Sequence, residues 1–249
     1  MKTVSIRSIP NILLNFLFRT VGLFQLFILW LGQNKQNRAD HSEFLQIYRK
    51  CRLYTLTEDR KLMSLYASVN YINENNIDGD FVECGVWRGG CCMLMALSQL
   101  KYKSMADKRR IYLYDTFYGM TEPGEKDPWY AYFFKGLGAI SADEVKRNMR
   151  STGYPEQNVV LVQGDVLETI PAKEIPRKIS LLRLDTDFYE STKHEMEQLF
   201  PLISRGGVLI IDDYYSFAGA RKAVDEYIEQ NNINIQFQDV VTGVIAYKE

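Results

Sequence analysis

Between residues 80 and 230 the chain repeats one unit, a short apolar run followed by a stretch patterned as a helix. The runs fall at 80–84, 110–115, 158–162, 179–184 and 208–211, and the helical patterns at 90–103, 141–151, 191–200 and 218–230. Leu, Ile and Val dominate runs such as 179–184, with Arg183 as the one charge. Such composition marks strands buried on both faces. Strands that alternate with helices pack as a parallel sheet with right-handed crossovers. The end of the chain departs from this rule, because 235–240 and 244–247 are joined only by a short turn around Thr242 and Gly243. That spacing predicts a hairpin. The fold class is therefore α/β: a doubly wound, mostly parallel sheet closed by an antiparallel pair.

Two acidic clusters stand where runs stop: Asp185 and Asp187 in LLRLDTDFYES, and Asp212 and Asp213 in GGVLIIDDYY. If the two runs are neighbours, about 4.8 Å separates them. Asp185, Asp212 and Asp213 then meet in the crevice beyond the strand ends, where open α/β sheets bind ligands. Carboxylates that close need a cation, and an all-oxygen set favours a hard one such as Mg2+ or Ca2+. The competing reading is that Asp212 or Asp213 caps the following helix.

The earlier run ends carry a second pattern. Val82-Glu83-Cys84-Gly85 is followed by Val86-Trp87-Arg88-Gly89-Gly90, which opens a helix. Glycines there allow a sharp turn and close approach of a ligand, although the spacing is not that of the dinucleotide fingerprint. Asp115 and Gly164-Asp165 end the next two runs. Each acid alone reads as a turn or cap residue; together with the glycines they describe a nucleoside pocket.

With 249 residues, 46% of them hydrophobic and 24% charged, the chain suffices for one large domain with a core. Cys51, Cys84, Cys91 and Cys92 show no paired spacing, which argues against a disulfide framework or a zinc site and for a reduced, cytoplasmic setting. No basic stripe marks a nucleic-acid partner. The charge is uneven: residues 1–39 hold Lys2, Arg7, Arg19, Lys35 and Arg38 without an acid. From 12 to 31 Leu, Phe and Ile are interrupted by Asn15, Arg19, Gly22 and Gln25 at helical spacing. This predicts a hydrophobic N-terminal helix that lies on the cytoplasmic membrane surface through residues 10–32, packs on the domain or on a second subunit, or spans; Arg19 weighs against the span. The division follows as a basic, hydrophobic segment at 1–39 and an α/β domain at 40–249.

VECGVWRGG, DTFYG, QGDVLETIP, LLRLDTDFYESTKHEMEQLFP and GGVLIIDDYYSFAGARKAVDEY together resemble the macrocin O-methyltransferase family, whose members methylate sugar hydroxyls of natural products with S-adenosylmethionine. The resemblance covers roughly residues 58 to 249. It implies a class I methyltransferase fold with seven strands, a Mg2+ requirement, a small-molecule or glycan acceptor and a homo-oligomer. Carried over by motif, Glu83, Gly85 and Gly89 border the cofactor, Asp115 meets its ribose and Asp165 its adenine. Asp185, Asp212 and Asp213 fall on the metal ligands. Cys91 departs from the pattern, since members often carry Ser after the paired glycines.

The chemistry such a site must perform is to align a hydroxyl with an activated methyl group and make it a better nucleophile. A cation on two vicinal sugar oxygens would do so. Asp185 is the favoured proton acceptor and Asp187 the reserve. His194 reads as a helix packing residue. The stretch 116–137, rich in aromatic residues, is either a lid over the acceptor or a local minicore or subunit contact. A phenol or catechol O-methyltransferase and a noncatalytic nucleotide-binding scaffold are the alternative functions.

Overall fold

A computed structural model of the chain describes residues 35–102 and 109–249. The hydrophobic segment 12–31, its membrane and subunit roles and the residues 10–32 assigned to them lie outside those residues. No helix among the described residues is long and apolar enough to cross a membrane.

The elements follow the alternation read from the sequence. They are α1 (Lys35–Cys51), α2 (Asp59–Glu74), β1 (Asp80–Cys84), α3 (Gly90–Gln99), β2 (Ile111–Asp115), α4 (Ala142–Arg150), β3 (Val159–Gln163), α5 (Val166–Thr169), β4 (Ile179–Leu184), α6 (Tyr189–Leu199), β5 (Ile203–Ile211), α7 (Ala218–Gln230), β6 (Gln238–Val240) and β7 (Gly243–Tyr247). The seven strands form one sheet in the order β3-β2-β1-β4-β5-β7-β6. All pairs are parallel except β5 with β7 and β7 with β6. Because α1 opens at Lys35, the expected boundary at 39/40 falls inside a helix.

Strand parity sorts the core into two layers. Phe81, Leu113, Leu181 and Val208 pack under α1 to α4. Val82, Cys84, Leu182, Leu184, Leu209 and Ile211 face α6 and α7. Since side chains alternate along a strand, Glu83 and Arg183 share the first face with Phe81 and Leu181. Their burial on both sides comes at once from register: Glu83 pairs with Arg183, and Arg183 with Ile210. The same register aligns Leu184 with Ile211. Asp185 and Asp212, the next residue on each strand, therefore emerge side by side at the carboxyl end of the sheet.

Two local details bear on the site. Thr57 precedes α2, whose N-cap is Glu58, and the Thr57 hydroxyl turns inward to accept from Arg183 Nη2 at 2.9 Å. The four cysteines are buried free thiols.

Candidate active site

One cavity of about 580 Å³ opens at the carboxyl ends of β1 to β5. Gly85, Trp87, Asp115, Gly164 and Asp165 line one part, and Thr57, Lys61, Asp185, Asp187, Asp212 and Asp213 another. The nucleoside pattern and both acidic clusters thus share a single space.

The β1 and β4 strands meet where the order of the sheet reverses. Gly85 has φ 83°, and a Cβ there would lie 2.1 Å from the Asp185 carbonyl oxygen. Only glycine lets these two strand ends touch. Asp115 then holds the turn that follows: its Oδ2 accepts from the amides of Val86 and Trp87 at 2.8 and 2.9 Å, and its Oδ1 from Phe117 at 2.7 Å. Trp87 and Phe117 both have left-handed backbones, with φ 47° and 61°, so the carboxylate stabilises two unfavourable conformations. It still lines the cavity with spare acceptor capacity on Oδ1. Asp165 caps α5 by accepting from Leu167 N at 2.9 Å and also lines the cavity. Gly89 is not among the lining residues. It starts α3 at φ 83° with Val145 3.1 Å from where its Cβ would be, so its place is that of a left-handed helix entry.

The other part is organised by Arg183, a residue only 1% exposed. A guanidinium removed from water requires paired acceptors. It ion-pairs with Glu83, donates from Nη1 to Asp185 Oδ2 at 2.9 Å and from Nη2 to Asp212 Oδ1 at 2.6 Å. Lys61, from α2, takes the remaining Asp212 oxygen at 3.1 Å and reaches Asp213 Oδ1 at 3.3 Å. Burial pushes the Asp212 carboxyl up, but Arg183 and Lys61 outweigh it and hold Asp212 below the usual carboxylate range.

Asp212 was expected to join Asp185 and Asp213 as a metal ligand. Here both its oxygens are engaged by cations, and the oxygens close enough to share an ion belong to Asp185, Asp187 and Asp213, all within 4.8 Å of one another. Burial, then the neighbouring carboxylates, pushes Asp187 well above its ordinary value; Asp185 is raised in the same direction despite Arg183. Asp187, at φ 69°, keeps a buried Oδ1 that receives no hydrogen bond among the described residues. Such an atom fits a cation better than a structural role.

Several contributors were not singled out as site residues by sequence: Lys61, Thr55, Thr57 and the pairing role of Arg183. Cys91 lines the cavity and lies 3.3 Å from Thr57 Oγ1 and 3.5 Å from Thr55 Oγ1. His194 donates or accepts nothing at the cavity; its Nε2 meets the Ile170 carbonyl at 2.6 Å. The aromatic stretch has two sides. Met120, Phe134 and Leu137 line the cavity, whereas Tyr118, Trp129 and Phe133 are exposed. Phe134 packs edge-on against Phe217 at 5.4 Å, and Asp127 fastens the segment by accepting from Tyr189 N at 2.9 Å.

The sheet order, antiparallel closing pair and cavity at the carboxyl ends define a class I methyltransferase. The macrocin-O-methyltransferase (TylF) family model matches residues 33–249, and the chain belongs to that family; it is an O-methyltransferase. Demethyldecarbamoylnovobiocin O-methyltransferase of Streptomyces niveus is 35% identical over 181 residues, 70% of this chain and 67% of that protein. A Streptomyces olivaceus enzyme, 8-demethyl-8-(2,3-dimethoxy-alpha-L-rhamnosyl)-tetracenomycin-C 4'-O-methyltransferase, is 32% identical over 197 residues, 77% of this chain and 74% of that one. Among solved structures, the O-methyltransferase NovP superposes with a TM-score of 0.72 at 30% identity, covering 78% of this chain and 82% of its own. Calicheamicin methyltransferase CalS11 shares the fold, with a TM-score of 0.66 at 19% identity over 99% of this chain and 98% of that one.

Proposed function

We propose that the protein transfers a methyl group from S-adenosylmethionine to a sugar hydroxyl in a glycoside, glycan or related natural product, with a divalent cation such as Mg2+ at the acidic cluster. The observation that carries this reading is the continuity of the cavity, which joins Gly85, Asp115 and Asp165 to Asp185, Asp187 and Asp213. Relatives named for methylating a rhamnosyl group and the 3'' position of mycinamicin III support a sugar acceptor.

Bound S-adenosylmethionine supplies a methyl group already activated by its sulfonium, and a divalent ion supplies a Lewis acid for neighbouring hydroxyl oxygens. The residues of the chain position these groups. Gly85 and Gly164 permit close approach, and Asp115 and Asp165 offer acceptors to a ribose and an adenine. Asp185, Asp187 and Asp213 would hold the ion. Among the described residues, Glu83, Asp185, Asp187, Asp212 and Asp213 stand against two cations, Arg183 and Lys61. When all five are ionised, a divalent ion and a sulfonium together close the deficit.

Proton removal falls to Asp187 more readily than to Asp185. Asp185 Oδ2 already accepts from Arg183, which makes it the weaker base, while Asp187 Oδ1 receives no hydrogen bond from a cationic or backbone donor among the described residues. Chromatographic detection of S-adenosylhomocysteine formed with a panel of glycosides and phenols tests the proposal. Turnover with glycosides that stops on chelation supports it; turnover with phenols alone contradicts it.

A further inference from the structure

Among the described residues, Lys61 is the cation that reaches the acidic cluster from outside the sheet. It projects from α2 and places Nζ 3.1 Å from Asp212 Oδ2 and 3.3 Å from Asp213 Oδ1, with its side chain 9% exposed. Arg183, by contrast, is fixed by Glu83, Asp185, Asp212 and Thr57 at once. The two cations therefore differ in what they can do. Arg183 cannot leave without stranding several buried carboxylates, whereas Lys61 rides on a flexible stem of four methylenes beside an open cavity that it lines.

We propose that Lys61 is a tethered counter-ion that competes with the divalent cation for Asp212 and Asp213, so that the ion binds by exchange with the lysine ammonium and Lys61 limits its affinity. This rests on the divalent-cation reading of the site given above. Asp213 belongs to the set of oxygens that can share an ion, and its Oδ1 already accepts from Lys61 and, at 3.3 Å, from the Thr242 hydroxyl. An arriving ion meets a positive charge within contact distance of that ligand. Asp212, with Oδ1 on Arg183 and Oδ2 on Lys61, can turn an oxygen toward an ion only when Lys61 lets go. Exchange reconciles the motif, which assigns Asp212 to the metal, with the geometry, which gives it to two side chains. Lys61 is in this account a positioning residue: it holds the two carboxylates at short range until an ion replaces it.

The experiment is a titration of the full-length protein with Mn2+, followed by the electron paramagnetic resonance signal of the free ion, without cofactor or acceptor. Lys61→Gln should bind Mn2+ at least fivefold more tightly than the wild type, and Lys61→Arg should stay within threefold of it. Mn2+ should also raise the melting temperature of Lys61→Gln more than that of the wild type. Equal or weaker Mn2+ binding by the glutamine variant overturns the proposal. Reductive methylation of wild-type lysines, mapped by mass spectrometry, gives a measurement that needs no variant. Lys61 should label faster in Mn2+ than in chelator, and unchanged or slower labelling contradicts exchange. Absence of Mn2+ binding by the wild type would remove the divalent-cation reading itself, and this proposal with it; binding with no effect at Lys61 removes only the proposal.

Discussion

Asp185 and Asp212 stand side by side at the ends of β4 and β5, and one guanidinium divides itself between them: Arg183 Nη1 lies 2.9 Å from Asp185 Oδ2 and Nη2 2.6 Å from Asp212 Oδ1. The two acids are neighbours by strand register and are kept in place by a cation from β4. Everything that the site can do with a cofactor or an ion begins from that arrangement.

Arg183→Met should be severely destabilising. It strands Glu83, Asp185 and Asp212, and breaking a buried ion pair from one side costs about 3–5 kcal/mol. Urea denaturation monitored by circular dichroism measures the loss. Arg183→Lys should recover only part of it, because an ammonium lacks the planar fork that serves several acceptors.

Asp187→Asn should lower the rate of methyl transfer by about 10²- to 10⁴-fold, the range expected for loss of a general base. Affinity for S-adenosylhomocysteine, measured by calorimetry, should remain within a few-fold of the wild type. A variant with near-normal turnover would exclude Asp187 as the proton acceptor.

Divalent-ion binding should weaken as pH falls. Burial and mutual repulsion raise the Asp185 and Asp187 carboxyls well above their ordinary values, so an incoming ion must displace protons that a typical carboxylate would already have lost. Mn2+ affinity should therefore drop from pH 8 to pH 6. Calorimetry in two buffers of different ionisation enthalpy should report proton release; identical heats in both would contradict it.

Glu195, which accepts from the residue between Asp185 and Asp187, offers a test read through stability instead of turnover. Fully buried on α6 and accepting from Thr186 Oγ1 at 3.0 Å, it is pushed by burial to about 8, against the opposing effect of the Thr186 and Cys84 hydrogen bonds. A raised folded-state value means that the native protein holds a proton the unfolded chain has released. Its contribution is full below the unfolded value and is lost as pH rises through about 8. Glu195→Gln should flatten this fall and be the more stable protein at pH 8, by an amount on the order of 2 kcal/mol. Melting temperatures across pH 5 to 8.5 decide it, and parallel profiles for the two proteins would refute the assignment.

Much of this was legible in the sequence because it is carried by local pattern. Strand ends announce themselves where apolar runs stop, so Gly85, Asp115, Asp165, Asp185 and Asp212 could be placed at one end of a sheet. What was not legible depends on partners distant along the chain. Lys61 lies 151 residues before Asp212, and Thr57 lies 126 before Arg183; no spacing rule links them. The conflict at Asp212 has this origin, since which side chain claims a carboxylate is set by the packing of α2 and not by the motif around the acid. Gly89 shows the converse, for a paired glycine beside a nucleoside pattern invites a ligand role while its positive φ already accounts for it.

If Asp185, Asp187 and Asp213 hold an ion that activates a sugar hydroxyl beside a methyl donor, the oxygen that receives the methyl group and its dependence on the ion will report it. The most direct test uses an acceptor that carries both a phenol and a sugar with a vicinal diol, incubated with S-adenosylmethionine labelled in the methyl group, with Mg2+ or with chelator, and read by nuclear magnetic resonance. Label is expected on a sugar oxygen in Mg2+ and none in chelator. Label on the phenolic oxygen, or sugar methylation undiminished by chelation, would contradict it.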